Sequence, residues 1–461
     1  MNKRIIGAAV SFLIALIVLL LPAPKGLDAV GHRALAIIVL AVGFWATDVL
    51  NTGITAVGAL GLLIIAKVPA ATALSGFSSS AFWLLVSVLF FGRAMEKTGL
   101  AKRISYSVLT IFRPTYSGII FAFLVIGIIL AFGIPSMTVR IAIMMPIAWA
   151  LVRSLQIPLP SRGSALIILS TFEMAVLPGC AILTGSLWGP YLTGLYASVK
   201  LPLTWLGYAK VMALPTLIWC VLILIANRMA LAPKTPVPAT REGIRDQLRS
   251  LGSMSRTEKW AGLLICASVL AWITQPLHHI PAEAIGMIAL VLLFAAKVLV
   301  PAEIGTGISW GLALFVGGLL SLSTVITTFK ISAWLGTYIV PAVQPFAANP
   351  WLLVTAIAVL VVAMRFIDPA GMITIGIFFL ALQGFFAARS INSLVLVGAI
   401  LLPLHVFWFS YQNIWMIMTD GITEKKAYTN GDRFRTATIY LAISLVALWI
   451  STGFWKLIGV L

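Results

Sequence analysis

Charge is scarce in this chain. Of its 461 residues only 10% are charged, 13 are acidic and four are histidines, whereas a soluble domain carries roughly 25% charged residues. Cysteine is rare as well, because Cys180, Cys220 and Cys266 are the only three copies and all lie in apolar runs. These shortages exclude a soluble enzyme, a disordered chain and a disulfide scaffold, and they offer no cysteine-based metal site.

Apolar residues, in contrast, make up 61% of the chain and give a mean hydropathy of +1.08. Apolar runs of about 17–25 residues are long enough to cross a bilayer as helices. The runs lie at about 5–21, 34–50, 52–67, 80–97, 117–132, 136–154, 164–183, 185–199, 209–231, 260–274, 282–300, 308–326, 349–364, 370–388, 393–418 and 436–459. The sequence therefore predicts an all-α, multi-pass protein of the cell inner membrane. Its first run is interpreted as a retained helix rather than a signal peptide.

The net charge of +18 has two explanations. Cytoplasmic loops of membrane proteins collect Lys and Arg, which makes the excess a mark of topology. A positive field also attracts an anionic ligand. Nucleic-acid binding is excluded, because no polar stretch is long enough to form a soluble binding domain.

The two halves of the chain share sequence markers. Residues 232–259 are the only long polar stretch and are predicted to form a cytoplasmic linker. Four markers recur in the same order and at a nearly constant spacing: Trp45 and Trp272, Lys67 and Lys297, Trp83 and Trp310, and Pro135 and Pro369. We therefore predict an extra N-terminal helix (1–31), a first repeat (32–231), the linker, and a second repeat (260–461).

Five crossings per repeat and the extra helix give about eleven transmembrane helices. An odd number of crossings places the two repeats in inverted orientation, as in many secondary transporters. The segments 117–155 and 349–389 are interpreted as re-entrant hairpins. With the N-terminus in the cytoplasm, 20 of the 31 basic residues fall in cytoplasmic segments, which supports this topology.

The tip of the first hairpin, residues 133–140, holds helix-stopping and helix-starting residues. Proline and glycine end the incoming helix, and Ser136 or Thr138 can cap the outgoing one. A helix N-terminus inside the membrane favours an anion, although an ordinary capped kink explains the same residues. Arg140 is either an anion ligand or the partner of a carboxylate such as Glu173.

The tip of the second hairpin contains Asp368 followed by Pro369, which is a signal for a helix start with Asp at the N-cap. A carboxylate inside the membrane is also a candidate for handling a cation or proton. Asp368 and Glu173 are therefore the coupling candidates, unless Arg365 neutralises Asp368 and leaves it a structural cap.

Two apolar runs are interrupted by residues that break helices. Residues 178–190 are dense in glycine and proline, and their counterpart in the second half is the polar cluster 410–413. Unwound backbone in a membrane lines protein or a cavity. We predict one polar site between the repeats, formed by Ser136, Thr138, Arg140, Thr184, Gly185, Ser186, Gln412 and Asn413. His405 is interpreted as a packing residue, and no catalytic or metal-binding constellation is predicted.

Several of these motifs resemble those of the divalent anion/sodium symporter family, the carriers of di- and tricarboxylates and sulfate. Residues 73–99 resemble the family's fourth helix, and residues 135–138 resemble its Pro-Ser-Asn-Thr tip. Arg140 matches the arginine of its plastid and citrate-carrier branch. Residues 184–186 stand at its glycine- and proline-rich break, and residues 411–413 resemble a Tyr-Gln element of bacterial members. The resemblance spans nearly the whole chain and implies a homodimer in which a transport domain moves as an elevator against a fixed scaffold.

The chain also departs from that family in ways that bear on coupling. In the family, the two Ser-Asn-Thr tips bind sodium and substrate together. Here Met137 replaces the first Asn, and the second tip reads Asp368, Pro369, Ala370. Sodium dependence is therefore doubtful, and coupling to sodium, coupling to protons and exchange all stay open.

The resulting expectation is a secondary active transporter of a small anion, which uses no cofactor and is not an enzyme. Its expected partners are the anion, the lipid bilayer and a second copy of the chain. A cation/proton or arsenite-type carrier is the alternative within transport, and a membrane-embedded enzyme is the alternative outside it. The sequence does not name the transported anion, the coupling ion or the direction of transport.

Overall fold

The structure is a computed structural model that describes residues 3–47, 49–233, 242–368 and 371–461. Asp48, Pro369 and Ala370 lie outside these ranges. Within them the secondary structure is helical, with no strand. The α-helices of this part of the chain are α1 Lys3–Leu20, α2 Ala29–Thr47, α3 Thr52–Ile65, α4 Ala70–Ala73, α5 Ser75–Ser78, α6 Ser80–Thr98, α7 Leu100–Ile111, α8 Tyr116–Gly133, α9 Met137–Ser154, α10 Arg162–Val176, α11 Trp188–Ser198, α12 Trp205–Ala230, α13 Glu242–Ser250, α14 Arg256–Ile273, α15 Gln275–His278, α16 Ala282–Ala295, α17 Glu303–Thr306, α18 Trp310–Thr328, α19 Ile331–Val343, α20 Pro350–Met364, α21 Met372–Ala387, α22 Ser393–Leu401, α23 Ile414–Ile422 and α24 Asn430–Leu457. Leu177–Ala181, Gln344–Phe346 and Ser410–Gln412 form 3-10 turns.

The helices have the length and surface of membrane spans. Among the described residues, seven spans are long and apolar enough to cross a bilayer, and five shorter apolar helices accompany them. Large apolar side chains such as Ile65 on α3 and Ile288 on α16 are exposed. Exposed apolar faces of this extent fit contact with lipid. The chain is therefore an all-helical, multi-pass membrane protein.

Helices of the two halves pack closely against each other. Helix α3 packs against α18, and α6 packs against α16. Gly53 lies so close to Gly311 that a Cβ atom on Gly53 would stand 2.4 Å from the Gly311 carbonyl oxygen. Small residues at such crossings let helix backbones approach, which is how helices associate in membranes.

Residues at matching positions of the two halves make the same hydrogen bonds. The Trp45 indole donates to the Thr52 carbonyl, and the Trp272 indole donates to the Ala282 carbonyl, both at 3.0 Å. The two acceptors are the first residues of α3 and α16. Lys67 and Lys297 follow the ends of α3 and α16, and both have positive φ angles, of 76° and 56°.

The predicted linker, residues 232–259, is partly structured. Helix α13 packs against α7, and α14 begins within the predicted linker. Arg103 of α7 donates to the carbonyls of Leu251 and Gly252 and forms an ion pair with Glu258 at 2.9 Å. The C-terminal part of the linker is therefore fixed to α7.

A second group of ion pairs joins α6 to the start of α17. Arg93 and Lys97 contact Glu303 at 3.0 and 2.6 Å. Burial acts to raise the pKa of Glu303, but hydrogen bonds from Lys97, the Val300 amide and Arg93 lower it overall. Because the folded-state pKa is lowered, this stabilisation is present above the unfolded-state value of about 4.3 and is lost as the pH falls.

We expect Glu303→Gln to lower the melting temperature at pH 7 by an amount that shrinks as the pH falls towards the folded-state pKa. About 1 kcal/mol is expected at pH 7, since the partner side chains are about one-third exposed and solvent screens the pairs. Thermal unfolding in detergent at several pH values measures this. A destabilisation that did not change with pH would contradict the prediction.

Candidate functional site

Tip 1, residues 134–138, joins α8 to α9. Ser136 is the N-cap of α9, and its Oγ accepts a hydrogen bond from the Val139 amide at 3.3 Å. The Thr138 hydroxyl accepts from the Trp415 indole of α23 at 3.1 Å. Tip 1 is therefore attached to the start of α23, in the other half of the chain.

Tip 2, residues 365–371, joins α20 to α21 and differs from the prediction at Asp368. Helix α21 begins at Met372 and its N-cap is Gly371, whose φ of +79° suits glycine, so Asp368 is not the N-cap residue. Its carboxylate nevertheless reaches the start of α21. It accepts from the Gly371 amide at 2.9 Å and from the amide and hydroxyl of Thr374 at 2.8 and 2.7 Å.

Arg140 is fully buried and donates to backbone carbonyls. Its Nε bonds the Ala175 carbonyl at 2.6 Å, Nη1 bonds those of Ile134 and Gly185, and Nη2 bonds that of Val176 at 3.2 Å. Broken helices leave carbonyls without partners, and a planar guanidinium can satisfy several of them at once. Arg140 thereby joins tip 1 to the end of α10.

The alternative in which Arg140 pairs with Glu173 is wrong. No salt bridge between them exists in the described part of the chain. Glu173 accepts instead from the Asn227 amide, at 2.5 Å. Both residues are buried, but they form hydrogen bonds with different groups.

Arg365 plays the corresponding part at tip 2. Its Nη1 donates to the Asp368 backbone carbonyl and its Nη2 donates to the Gln412 carbonyl at 2.7 Å. Each arginine therefore bonds a carbonyl of its own tip and a carbonyl of a broken helix. The two broken-helix carbonyls, of Gly185 and Gln412, have the same spacing in the chain as Trp45 and Trp272.

Break 1, residues 177–187, is held by buried side chains. Thr184 accepts from the Trp205 indole at 3.0 Å, and Tyr208 donates to the Cys180 carbonyl at 3.0 Å. Ser186 is buried beside them. A Cβ atom on Gly189, just after the break, would lie 1.4 Å from the Leu183 carbonyl oxygen, so only glycine permits this turn.

Break 2, residues 402–413, is longer than predicted. Helix α22 ends at Leu401 and α23 begins at Ile414, whereas the sequence suggested an interruption only near Tyr411. The Gln412 and Asn413 side-chain oxygens accept from the Phe409 and Trp415 amides at 3.0 and 3.1 Å.

Three buried N–H groups near break 2 have no acceptor among the described residues. They are Nε2 of Gln412, Nδ2 of Asn413 and Nε1 of Trp188. A buried donor without a partner costs about 1–3 kcal/mol. The three donors are therefore suited to an acceptor supplied by a ligand.

A cavity of about 430 Å³ lies beside these elements. Within the described ranges Asp368 is the only predicted site residue among those that line it. The remaining lining residues are Trp45, Ala46, Thr47, Thr52, Leu187, Trp188, Leu312, Phe315, Ile367, Met372, Ile373, Tyr411, Ile414, Trp415 and Ile417. The cavity is thus lined by α2, α3 and α18, by tip 2 and both breaks, and by α11, α21 and α23.

Sequence reasoning missed two tryptophans of this site, Trp188 and Trp415. Their ring centroids are 5.9 Å apart in an edge-to-face arrangement. His405 packs 6.0 Å from both rings, as a packing residue would. The two tryptophans have the spacing that relates the markers of the two halves, so that spacing could have identified them.

Comparison with known proteins relates the whole chain to one family. Residues 2–461 match the family model described as the sodium:sulfate symporter transmembrane region. A putative malate transporter of Bacillus subtilis is 23% identical over 75% of this chain and 74% of its own. Dicarboxylate transporter 1, chloroplastic, of Arabidopsis thaliana is 24% identical over 77% and 66%. The sodium-dependent dicarboxylate transporter SdcS of Staphylococcus saprophyticus is 24% identical over 72% and 69%.

All three relatives are named as transporters, in agreement with the expectation that the chain is not an enzyme. The match covers both hairpin segments, both breaks and the helices around the cavity. The chain belongs to the sodium:sulfate symporter transmembrane-region family.

Proposed function

We propose that the protein is a secondary active transporter of a small anion, either di- or tricarboxylate-like or inorganic. The observation that carries this proposal is the set of three N–H groups without acceptors in the described part of the chain. Trp188 lines the 430 Å³ cavity, and Gln412 and Asn413 lie in the chain between the lining residues Tyr411 and Ile414. Pockets of about 300–1,000 Å³ hold small molecules. The named substrates of the relatives, malate and dicarboxylates, are anions of this kind.

The charges around the cavity support an anion rather than a cation. Arg140, next to tip 1, and Arg365, in tip 2, are buried and bring two positive charges. Asp368 is the one carboxylate among the described lining residues, and three donors already use its oxygens. An arriving cation would have to displace these donors, whereas the lining residue Trp188 carries an N–H group that has no acceptor among the described residues.

The test is uptake of radiolabelled anions into proteoliposomes that contain the purified protein. We expect saturable uptake of at least one small di- or tricarboxylate or inorganic anion. A panel of anions in a thermal-shift assay identifies the candidates, since a ligand of the folded state raises the melting temperature. Transport of cations or arsenite without transport of any anion would contradict the proposal.

We propose further that the chain forms two inverted repeats with about eleven crossings and re-entrant hairpins at 117–155 and 349–389. The matched hydrogen bonds of Trp45 and Trp272, and the pairing of α3 with α18 and α6 with α16, support a duplicated architecture. In that arrangement the tips and breaks move together across the membrane, as an elevator, in each subunit of an inner-membrane homodimer. Labelling of single cysteines at both hairpin tips, from each side of the membrane, tests the topology.

Sodium coupling at tip 1 is proposed to be weak or absent. Met137 is fully buried at this tip and offers a thioether where a hard cation needs oxygen ligands. Separate sodium and pH gradients imposed on proteoliposomes test this. A steep dependence on sodium that vanished on substitution of Met137 would contradict the proposal.

The contact between Thr138 and Trp415 is expected to control substrate affinity. Thr138→Val removes the acceptor and Trp415→Phe removes the donor, so each variant deletes the same 3.1 Å hydrogen bond. Such a bond is worth about 0.5–1.5 kcal/mol, and each single change should weaken apparent affinity by up to about tenfold. The double variant should be little worse than either single variant. Strictly additive losses would show that the bond does not join tip 1 to α23 in the working protein.

A further inference from the structure

Glu173 and Asn227 form a buried pair outside the cavity. Glu173 lies on α10 and Asn227 on α12, and both side chains are almost completely buried. The Glu173 Oε2 and Asn227 Nδ2 atoms are 2.5 Å apart. The Ser170 hydroxyl, one turn before Glu173, lies 3.3 Å from the same Asn227 nitrogen.

The pair leaves two oxygen atoms without donors. Neither Glu173 Oε1 nor Asn227 Oδ1 has a partner among the described residues. An ionised carboxylate in such a place loses its hydration and gains one neutral hydrogen bond, which is too little to offset the cost of burying a charge.

The elements packed against α10 supply no cation to Glu173 in the described part of the chain. Those elements are α8, α9, α12, α23, α24 and the 3-10 turn at Leu177–Ala181. Cys220 of α12 and Tyr440 of α24 are the titratable groups that interact electrostatically with Glu173. The Arg140 guanidinium of α9 is bound to carbonyls, including those of Ala175 and Val176.

Three other titratable groups on these elements have different partners, and Arg228, next to Asn227 on α12, forms no salt bridge with Glu173 within the described residues. Tyr116 of α8 lies against Gly163, at the beginning of α10. Asp420 of α23 accepts from Tyr428 at 2.5 Å. Cys180 of the 3-10 turn lies 3.9 Å from His405. Within the described residues no salt bridge to Glu173 exists, and a proton is the positive charge that the pair itself can accommodate.

The 2.5 Å separation between the Glu173 and Asn227 side chains fits a hydrogen bond between two oxygen atoms. Hydrogen bonds from O–H to oxygen span about 2.5–3.0 Å, whereas those from N–H to oxygen span about 2.7–3.2 Å. The oxygen and nitrogen of an Asn amide are assigned from the hydrogen bonds around them. With the Asn227 amide turned, a protonated Glu173 donates to Oδ1 at 2.5 Å, and the Ser170 hydroxyl donates to the same oxygen at 3.3 Å.

We propose that Glu173 and Asn227 form a proton-binding site of the transporter, separate from the tips and the cavity. Glu173 takes up one proton to become a neutral carboxylic acid that donates to Asn227, and it returns that proton on release. Asn227 stands three residues before the end of α12, or about 5 Å along the helix. That end leads into the predicted cytoplasmic linker, so the proton exchanges with the cytoplasmic side. The role of this site in coupling rests on the proposed transport function.

Infrared difference spectroscopy of the purified full-length protein tests proton binding without any substrate. A protonated carboxylic acid has a carbonyl band that shifts in deuterium oxide. We expect this band in the wild type near neutral pH and its loss in Glu173→Gln. Glu173→Gln keeps a donor to Asn227 but cannot exchange a proton. Glu283→Gln, the same chemical change at the start of α16, is the matched control and should retain the band.

Transport provides the second measurement. We expect an imposed pH gradient to drive uptake by the wild type and by Glu283→Gln, and Glu173→Gln to lose this stimulation. A band lost in Glu173→Gln with unchanged pH-driven uptake would leave a proton site but overturn its role in coupling. Absence of the band in the wild type would overturn the proton site itself. This outcome does not depend on whether Glu173→Gln folds. A lack of any anion uptake would count against the proposed function and not against the proton site.

Discussion

Arg140→Gln is expected to destabilise the protein severely. The four carbonyls that Arg140 satisfies are buried, and glutamine can donate to at most two of them. Each buried acceptor left without a donor costs about 1–3 kcal/mol, so the loss is on the order of 2–6 kcal/mol. Since native proteins are stable by about 5–15 kcal/mol, thermal unfolding in detergent should show a large fall in melting temperature or no folded protein.

Two comparisons sharpen this experiment. Arg249→Gln changes an exposed arginine that pairs with Asp246, and it should leave the melting temperature nearly unchanged. Arg140→Lys keeps the charge but has neither the reach nor the planar geometry for four carbonyls, so it should also be strongly destabilised. A stable Arg140→Lys protein would show that positive charge, rather than the set of hydrogen bonds, is what the fold needs.

Asp368→Asn is expected to reduce transport strongly and to leave its dependence on pH intact. The carboxylate accepts from the Gly371 amide and from the amide and hydroxyl of Thr374. An Asn side chain turns an NH₂ group towards at least one of these donors. Hydrogen bonds to a charged group are worth about 1.5–3 kcal/mol, so we expect about a 10- to 100-fold loss of transport efficiency.

Thr374 supplies the controls for that variant. Thr374→Ser keeps the hydroxyl that donates to Asp368 and should transport nearly as well as the wild type. Thr374→Val removes only that donor, and its transport efficiency should lie between those of Thr374→Ser and Asp368→Asn. Initial uptake rates at several external pH values measure both effects. Loss of pH dependence in Asp368→Asn would make Asp368 a proton carrier rather than the group that holds the start of α21.

The features of this molecule that could be predicted from sequence are those determined by neighbouring residues. Run length and apolar composition predict membrane helices, and Ser136 caps α9 because its hydroxyl reaches an amide three residues later. Asp368 shows the limit of this reasoning. Its carboxylate does bind the start of a helix, but the helix begins at Met372. The intervening turn with positive φ at Gly371 changes the spacing, and an Asp-Pro signal does not encode it.

The hydrogen-bond partners of Arg140 could not be predicted from the sequence for a different reason. They are backbone oxygens, which every residue carries, and only the ending of α10 frees them for a side chain. Pro178 is the available signal, because a proline has no amide hydrogen to offer the preceding turn. A buried arginine near a proline-broken helix therefore points to carbonyl acceptors more than to a carboxylate.

The attachment of the linker to α7 limits how far α12 can move relative to α7. Arg103 fixes residues 251 and 252, and α13 packs on the same helix. The covalent path from the end of α12 at Ala230 to the start of α13 at Glu242 spans twelve residues. Fully extended, it reaches at most about 40 Å. Any travel of α12 beyond that reach would pull α13 from α7, so the segment between α12 and α13 also acts as a mechanical stop whose length could be shortened by deletion.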